Sequence, residues 1–279
     1  MKDVYIPDSK NLNRKISKIQ KGSKKKLHVV SDFDKTLTKA FADGKKVHTG
    51  IAQIREGHYL TEDYSPKAFA LHDEYHPIET ADNISREIKN KKMHEWWSRH
   101  LELMAKCGMN KGVINDIIQK KKIKIREDAL ELLDLLHEKN IPLLIFSAGV
   151  GDIIESYLKY ENKLYDNIQI ISNFYKFDEY GKVIGYKSKI IHSLNKSEIQ
   201  LKGMPYYDII RERKNVILLG DSVDDLDMLQ GIEHKEVIKI GFLNEDAEKN
   251  LKNYKKNFDA LILNDGSIEY VTSLIKRIK

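Results

Sequence analysis

The chain has 279 residues, of which 41% are hydrophobic and 32% charged, with one cysteine and five prolines. Such a composition buries a real core; it excludes a disordered tail, a collagen and a disulfide-stapled miniprotein, and the length suits one large domain carrying an insertion. Lysine and arginine total 48 against 42 acidic residues, a formal +6, which suits anionic ligands without calling for nucleic acid.

In chain order, the first thirty residues hold no apolar signal core, and the densest basic run, Lys21 to Lys26, reads as a solvated arm. Leu27 to Val30 is the first short apolar, β-rich run. Ile141 to Phe146, Ile168 to Ile171, Val216 to Leu219, Val237 to Ile240 and Leu261 to Leu263 follow it. Continuous rather than alternating apolarity marks strands buried on both faces. Between them, Asp128 to Glu138 places Ala129, Leu132, Leu133 and Leu136 on one helical face, and Ser267 to Ile278 does the same with Ile268, Val271, Leu274 and Ile275. The expected class is α/β, a Rossmann-like, mostly parallel sheet covered by helices.

Residues 41–124 break this rhythm, being polar and helical in pattern, with six of the ten histidines and both tryptophans. They are expected to form a helical cap inserted into a core built from residues 1–40 and 125–279. Residues 173–187 alternate in short aromatic steps around Glu179-Tyr180-Gly181 and read as a β-hairpin arm. No apolar stretch approaches the roughly 20 residues of a membrane helix. Cys107 stands alone, so neither a disulfide nor a multi-cysteine zinc site forms within one chain. The expectation is a cytoplasmic protein with no membrane partner and no stable nucleic-acid partner; the patterns do not specify an oligomeric state. Asn83-Ile-Ser85 and Asn195-Lys-Ser197 match the glycosylation pattern and are read as chance matches.

The chemistry gathers at strand ends. Leu27 to Val30 runs into Ser31-Asp32-Phe33-Asp34-Lys35-Thr36, so two carboxylates emerge where ligands bind an open α/β sheet. One can attack while the other moves protons. A second acidic group, Gly220-Asp221-Ser222-Val223-Asp224-Asp225, follows another buried strand. Together the two groups make a site for a hard divalent ion such as Mg²⁺, since the donors are oxygens with no histidine or cysteine beside them. Phe146-Ser147-Ala148-Gly149 and Gly185-Tyr186-Lys187 add a hydroxyl, backbone N–H groups and an ammonium, which a phosphoryl group needs.

Asp32-x-Asp34-x-Thr36, Ser147, a lysine and Gly220-Asp221-x-x-x-Asp225 resemble, in order, the four motifs of the haloacid dehalogenase-like phosphohydrolases. More narrowly, Ile145-Phe-Ser-Ala-Gly-Val-Gly-Asp152, Ile171-Ser-Asn-Phe174, Leu218-Leu-Gly-Asp-Ser222 and Ile240-Gly-Phe-Leu-Asn244 resemble the cytosolic pyrimidine 5′-nucleotidase family, which includes a 7-methylguanosine phosphate-specific branch. The resemblance implies hydrolysis of nucleoside monophosphates (CMP and UMP, or alternatively 7-methylguanosine 5′-monophosphate) through an aspartyl-phosphate. By it, Asp32 is the nucleophile and Asp34 the general acid/base. Mg²⁺ is held by Asp32, the Asp34 carbonyl and Asp221, with Asp225 supporting, and the phosphate by Ser147, the Ala148 N–H and Lys187. Lys187 is preferred over Lys189 because it follows a Gly-aromatic pair. Asp224 and Lys35 depart from the family pattern without removing a catalytic group.

The same resemblance assigns base selection to a carboxylate and an aromatic residue of the insertion, at Glu79 and Trp97, with His100 where the family carries serine. Glu79 suits an exocyclic amino group, and Glu79 with Trp97 suits a cationic methylated purine. Other readings of the chain are a nucleoside phosphotransferase, in which a nucleoside hydroxyl replaces water, and a non-enzymatic phosphate- or RNA-binding protein. His72 and His76 have the four-residue spacing of a helical zinc pair but lack an evident third ligand.

Overall fold

The structure, a computed structural model, describes residues 3–81, 83–187, 189–197 and 201–278. The chain opens with a short strand, β1 (Val4–Tyr5), and a helix, α1 (Ser9–Gly22), whose first turn is capped by Asp8 accepting from the Asn11 N–H at 2.9 Å. Leu12, Ile16 and Ile19, spaced as one helical stripe, are buried. The segment leading to the basic run is therefore a packed helix, while the run expected to be solvated, Lys21 to Lys26, lies at its end. Only its end stays largely in solvent, where Lys24–Lys26 form a 3-10 turn. The wholly buried strand β2 (Leu27–Asp32) follows.

After β2 the chain leaves the sheet. A two-stranded ribbon, β3 (Phe41–Ala42) with β4 (Lys45–Lys46), precedes four helices: α2 (Gly50–Glu56), α3 (Tyr64–Thr80), α4 (Arg86–Lys106) and α5 (Lys111–Gln119). Thr49, Ser85 and Asn110 cap α2, α4 and α5 through their side-chain oxygens. Leu71 and Tyr75 of α3 pack on Met93 and Trp96 of α4 in a small apolar cluster of their own. The chain returns through α6 (Ala129–Glu138), whose Leu132, Leu133 and Leu136 are buried.

The remaining elements are β5 (Leu143–Val150), α7 (Gly151–Tyr160), β6 (Ile168–Asn173), β7 (Tyr175–Phe177), β8 (Val183–Tyr186), α8 (Pro205–Ile210), β9 (Asn215–Gly220), β10 (Glu236–Leu243), α9 (Ala247–Asn257), β11 (Ala260–Leu263) and α10 (Glu269–Lys276). The seven-stranded sheet has the order β1-β11-β10-β9-β2-β5-β6 and is parallel except at β1, which pairs antiparallel with β11. Alternate residues serve opposite faces. Val29, Ile145 and Ile217 face the core that holds α1, α6 and α10, whereas Val30, Leu144 and Leu218 join Tyr206 and Ile210 of α8. The hairpin β7–β8 forms a separate two-stranded sheet, as expected of an arm.

In the centre of the sheet Ser31 lies opposite both Ile145 and Leu219. The three strands β9, β2 and β5 thus end side by side, which brings Asp221, Asp32 and Ser147 to one edge.

Candidate active site

A cavity of about 910 Å³ opens at that edge, between the strand ends and the helical segment. Asp32, Asp34, Ser147, Ala148, Asp221 and Asp225 line its sheet side. Glu79, Trp97 and His100 line the helical side. One space therefore joins nine of the ten residues singled out from the sequence.

The turn after β2 that carries Asp34 is held from beneath by Arg126, which is 1% exposed. Its guanidinium donates to the carbonyls of Lys35 (2.5 Å), Thr36 (2.6 Å) and Thr38 (3.1 Å) and pairs with Asp265 at 3.0 Å. Five rigid donors satisfy carbonyls that a tight turn leaves orphaned. At β9, Gly220 lets Asp225 come close: a Cβ there would lie 2.6 Å from the Asp225 Cβ. The 3-10 helix Val223–Leu229 that follows is opened by a capping box, in which the Asp225 Oδ2 accepts from the Ser222 N–H at 3.0 Å.

Carboxylate oxygens of Asp32, Asp221 and Asp225 lie within 4.8 Å of one another. Among the described residues this is the one cluster of three or more side chains able to hold a metal ion. Burial raises the pKa of Asp32 well above the usual carboxylate value; Lys196 opposes this, and Asp225 and Asp221 reinforce it. Burial together with Asp225 pushes Asp221 up to about 7. Asp34 rises to about 6, chiefly by burial, against the pull of Lys196, Lys35 and the Gly50 backbone N–H. An all-oxygen set whose members destabilise one another's charge fits a hard divalent cation, which would relieve that repulsion.

The functional lysine expected at position 187 is not here. Lys187 ends the β7–β8 arm, is exposed, and lies over the Phe174 ring at 5.6 Å beside a different cavity, with Asp152 and Lys111. Lys189 does not line the active cavity either. The ammonium in the site belongs to Lys196, 7% exposed, which donates to the Asp32 Oδ1 at 2.5 Å and the Asp225 Oδ1 at 3.1 Å. Burial works against its charge, but Asp225 and Asp32 outweigh it and lift its pKa. The physical reason for the misplacement is that the two strands of the arm pair with each other and bond to the helical segment, through a bridge from Lys182 to Asn110, while the chain after it turns back to the sheet edge. Asn173 directs that return. Its Nδ2 donates to the Ala148 and Ile191 carbonyls at 2.8 Å, and its Oδ1 accepts from the Ile191 N–H at 2.8 Å. Lys196 stood in the motif Asn195-Lys-Ser197, with no strand or glycine pair to mark it; Asn173 within Ile171-Ser-Asn-Phe174 was the available signal.

Ser147, 1% exposed, accepts from the Gly149 N–H at 2.9 Å, so its loop is preset. On the helical side, Glu79 sits near the end of α3 and accepts from the Ser193 hydroxyl at 2.7 Å, in the same loop as Lys196. Trp97 is half-buried, stacked toward His100 with ring centroids 6.5 Å apart. His100 is 3% exposed and bonded to the Tyr64 hydroxyl at 3.0 Å; burial, with Arg55 and His72, lowers its pKa to about 4, so it is neutral at pH 7. His72 and His76 stack on each other at 4.8 Å and belong to no three-ligand cluster among the described residues. Asp224, at the mouth, has its pKa raised by burial against Arg86 and Lys89 of α4, and Arg86 pairs with Asp227 on the 3-10 helix.

No helix among the described residues is long and apolar enough to cross a membrane. A protein named 7-methylguanosine phosphate-specific 5′-nucleotidase from Gallus gallus is 36% identical over 254 residues, 91% of this chain and 88% of that one. The crystal structure of cytosolic 5′-nucleotidase IIIB bound to cytidine superposes with a TM-score of 0.89 at 29% identity, covering 100% of this chain and 94% of the other. A HAD family hydrolase from Salmonella enterica shares the fold at a TM-score of 0.59 and 17% identity, over 92% of this chain and 73% of that one. The family model of pyrimidine 5′-nucleotidase (UMPH-1) matches residues 35–279. The strand-end carboxylates, the cavity they share with the helical segment and these likenesses agree: the chain belongs to the pyrimidine 5′-nucleotidase family.

Proposed function

We propose that the protein is a Mg²⁺-dependent 5′-nucleotidase that hydrolyses 7-methylguanosine 5′-monophosphate and cytidine 5′-monophosphate to nucleoside and phosphate. The observation that carries this is the single cavity with Asp32, Ser147, Lys196 and Asp221 on one side and Glu79 with Trp97 on the other. The helical segment 41–124 acts as a cap that supplies the base-reading wall, and residues 1–40 and 125–279 as the catalytic core. A cytoplasmic location accords with the likeness to a cytosolic 5′-nucleotidase.

An incoming phosphate monoester is gripped by the Ser147 hydroxyl, the Ala148 N–H and the Lys196 ammonium. Asp32 attacks phosphorus: its carboxylate oxygen bonds to phosphorus as the bond to the 5′-oxygen breaks, and Asp34 gives that oxygen its proton. Asp34, now ionised, takes a proton from water, which attacks the aspartyl-phosphate and frees phosphate and the Asp32 carboxylate. Asp32, Asp221 and the Asp34 carbonyl, with Asp225 behind, would hold a divalent ion, which when bound would supply neutralisation of phosphate and carboxylate charge. The Lys196 ammonium, bonded to the Asp32 Oδ1, favours the ionised form of Asp32 against its burial.

At the far end Glu79 accepts from an exocyclic amino group and Trp97 stacks on the ring. A methylated guanine carries a positive charge, so it gains both ion pairing with Glu79 and a cation–π contact of about 0.5–2 kcal/mol. Cytosine offers the amino group alone, and the cytidine in the similar solved structure supports it as the second substrate. Phosphate release from the 5′-monophosphates of 7-methylguanosine, cytidine, uridine and adenosine tests the reading. The expected order is 7-methylguanosine, cytidine, uridine, adenosine; adenosine first would overturn the assignment of Glu79 and Trp97. Asp32→Asn is expected to abolish release with the fold intact, and unchanged release would overturn the nucleophile.

A further inference from the structure

Helix α2 separates the active cavity from a second one of about 550 Å³. Ile51, Ala52 and Arg55 face the active cavity, while Gln53 and Glu56 face the second. The walls of this second cavity come from the two connections that join the helical segment to the sheet, the outgoing stretch at 42–48 and the returning stretch at 120–124.

Five lysines line it: Lys46, Lys120, Lys121, Lys122 and Lys124. Lys46 pairs with Glu245 and Lys120 with Asp116. Among the described residues Lys121, Lys122 and Lys124 have no ion-pair partner. The acidic residues of the wall are Asp43 and Glu56, and Glu56 is already engaged by His48 at 3.0 Å. Three ammonium groups within four residues, facing a concave space, repel one another until an anion enters. The two connections are also tied together here: Gln53 of α2 donates its Nε2 to the carbonyls of His48 and Lys122, both at 2.9 Å, and the Lys39 N–H donates to the Lys124 carbonyl at 2.7 Å.

We propose that this cavity binds the polyphosphate chain of a small molecule, and that its occupancy sets the spacing of the two connections and, through α2, the wall of the active cavity. A chain of two or three phosphates matches three unpaired ammonium groups better than a single monoester does, so the site is distinct in chemistry from the substrate pocket. Binding is read without turnover and stands independently of the proposed reaction.

Calorimetric titration of inorganic pyrophosphate, and separately of ATP, into the full chain tests it in three proteins: wild type, the triple variant Lys121→Ala/Lys122→Ala/Lys124→Ala, and Lys196→Ala. Saturable binding that weakens with added salt is expected for wild type and Lys196→Ala, with affinity at least about ten-fold lower in the triple variant. Equal affinity for the two probes assigns recognition to the phosphate chain alone; tighter ATP binding adds its nucleoside to the group recognised. Undiminished binding by the triple variant overturns the proposal. So does loss in Lys196→Ala alone, which would put the anion in the active cavity. If Lys196→Ala does not fold, amide hydrogen exchange of the wild type replaces it: pyrophosphate should protect residues 120–124, and protection confined to 147–149 is the contrary result. The triple variant should match the wild type in basal turnover and lose any response of KM to pyrophosphate. Absence of turnover from every protein would sink the nucleotidase reading while leaving the binding result standing.

Discussion

Lys196 shows how much a single position decides. Among the described residues it is the cation buried between the Asp32 and Asp225 carboxylates, so removing it leaves Asp32 and Asp225 facing each other. Breaking such a buried pair from one side costs about 3–5 kcal/mol. Lys196→Ala is therefore expected to lower stability to urea by that order in metal-free buffer, and to lose turnover; Lys187→Ala, on the exposed arm, should leave both nearly unchanged. Equal effects from the two variants would return the phosphate lysine to the arm. His100 gives a second test at the same scale. Its folded pKa of about 4 lies below the ordinary imidazole value of 6.5. Between those values the unfolded chain binds a proton that the folded chain refuses, so acidification from pH 6.5 to 4 draws the protein toward unfolding. This contribution is at most about 1.4 kcal/mol per pH unit. Denaturant titrations across that range should show a shallower loss in His100→Gln than in the wild type, and parallel curves would contradict a buried neutral imidazole. The positions legible in advance were those written next to a strand end: Asp32, Asp34, Ser147 and Asp221. Lys196 was not, because a lysine in an irregular loop reaches its partners through tertiary hydrogen bonds from Asn173 that no local pattern encodes.

At the scale of elements, the six apolar strands β2, β5, β6, β9, β10 and β11 were readable because a strand buried on both faces is written as an unbroken run of Val, Ile and Leu. Helix α1 was hidden by its own surface: three apolar residues among lysines and asparagines average to a polar stretch, although their spacing is helical. The support of the turn after β2 was not legible for another reason, since it depends on Arg126, a residue 90 positions from Thr36 in the chain. The junction of β9 with its 3-10 helix makes a prediction of its own. Adding one methyl at Gly220 pushes on Asp225, so Gly220→Ala should cost about 1–3 kcal/mol and reduce turnover together with divalent-ion affinity. Retention of both, measured by urea unfolding and metal titration, would mean that Asp225 has room to move and does not need its present place.

For the molecule as a whole, three central strands supply the carboxylates and a helical segment supplies the opposite wall, so the proposed substrate and metal sites share one cavity. Chelation should abolish turnover and lower the melting temperature, and Mg²⁺ should restore both; an ion present at 100 times its dissociation constant stabilises by about 2.7 kcal/mol. An unchanged melting curve with and without Mg²⁺ would argue against the carboxylate cluster as its site. The order of strands in the sheet also bears on biosynthesis. Among the described residues strand β1 pairs with β11 alone, with Val4 opposite Ile262. In a nascent chain β1 and α1 are therefore made well before their partners β10 and β11. These earlier residues wait, tethered and unpaired, while β2, β5 and β6 assemble, and they seal the sheet edge only once β11 has been made.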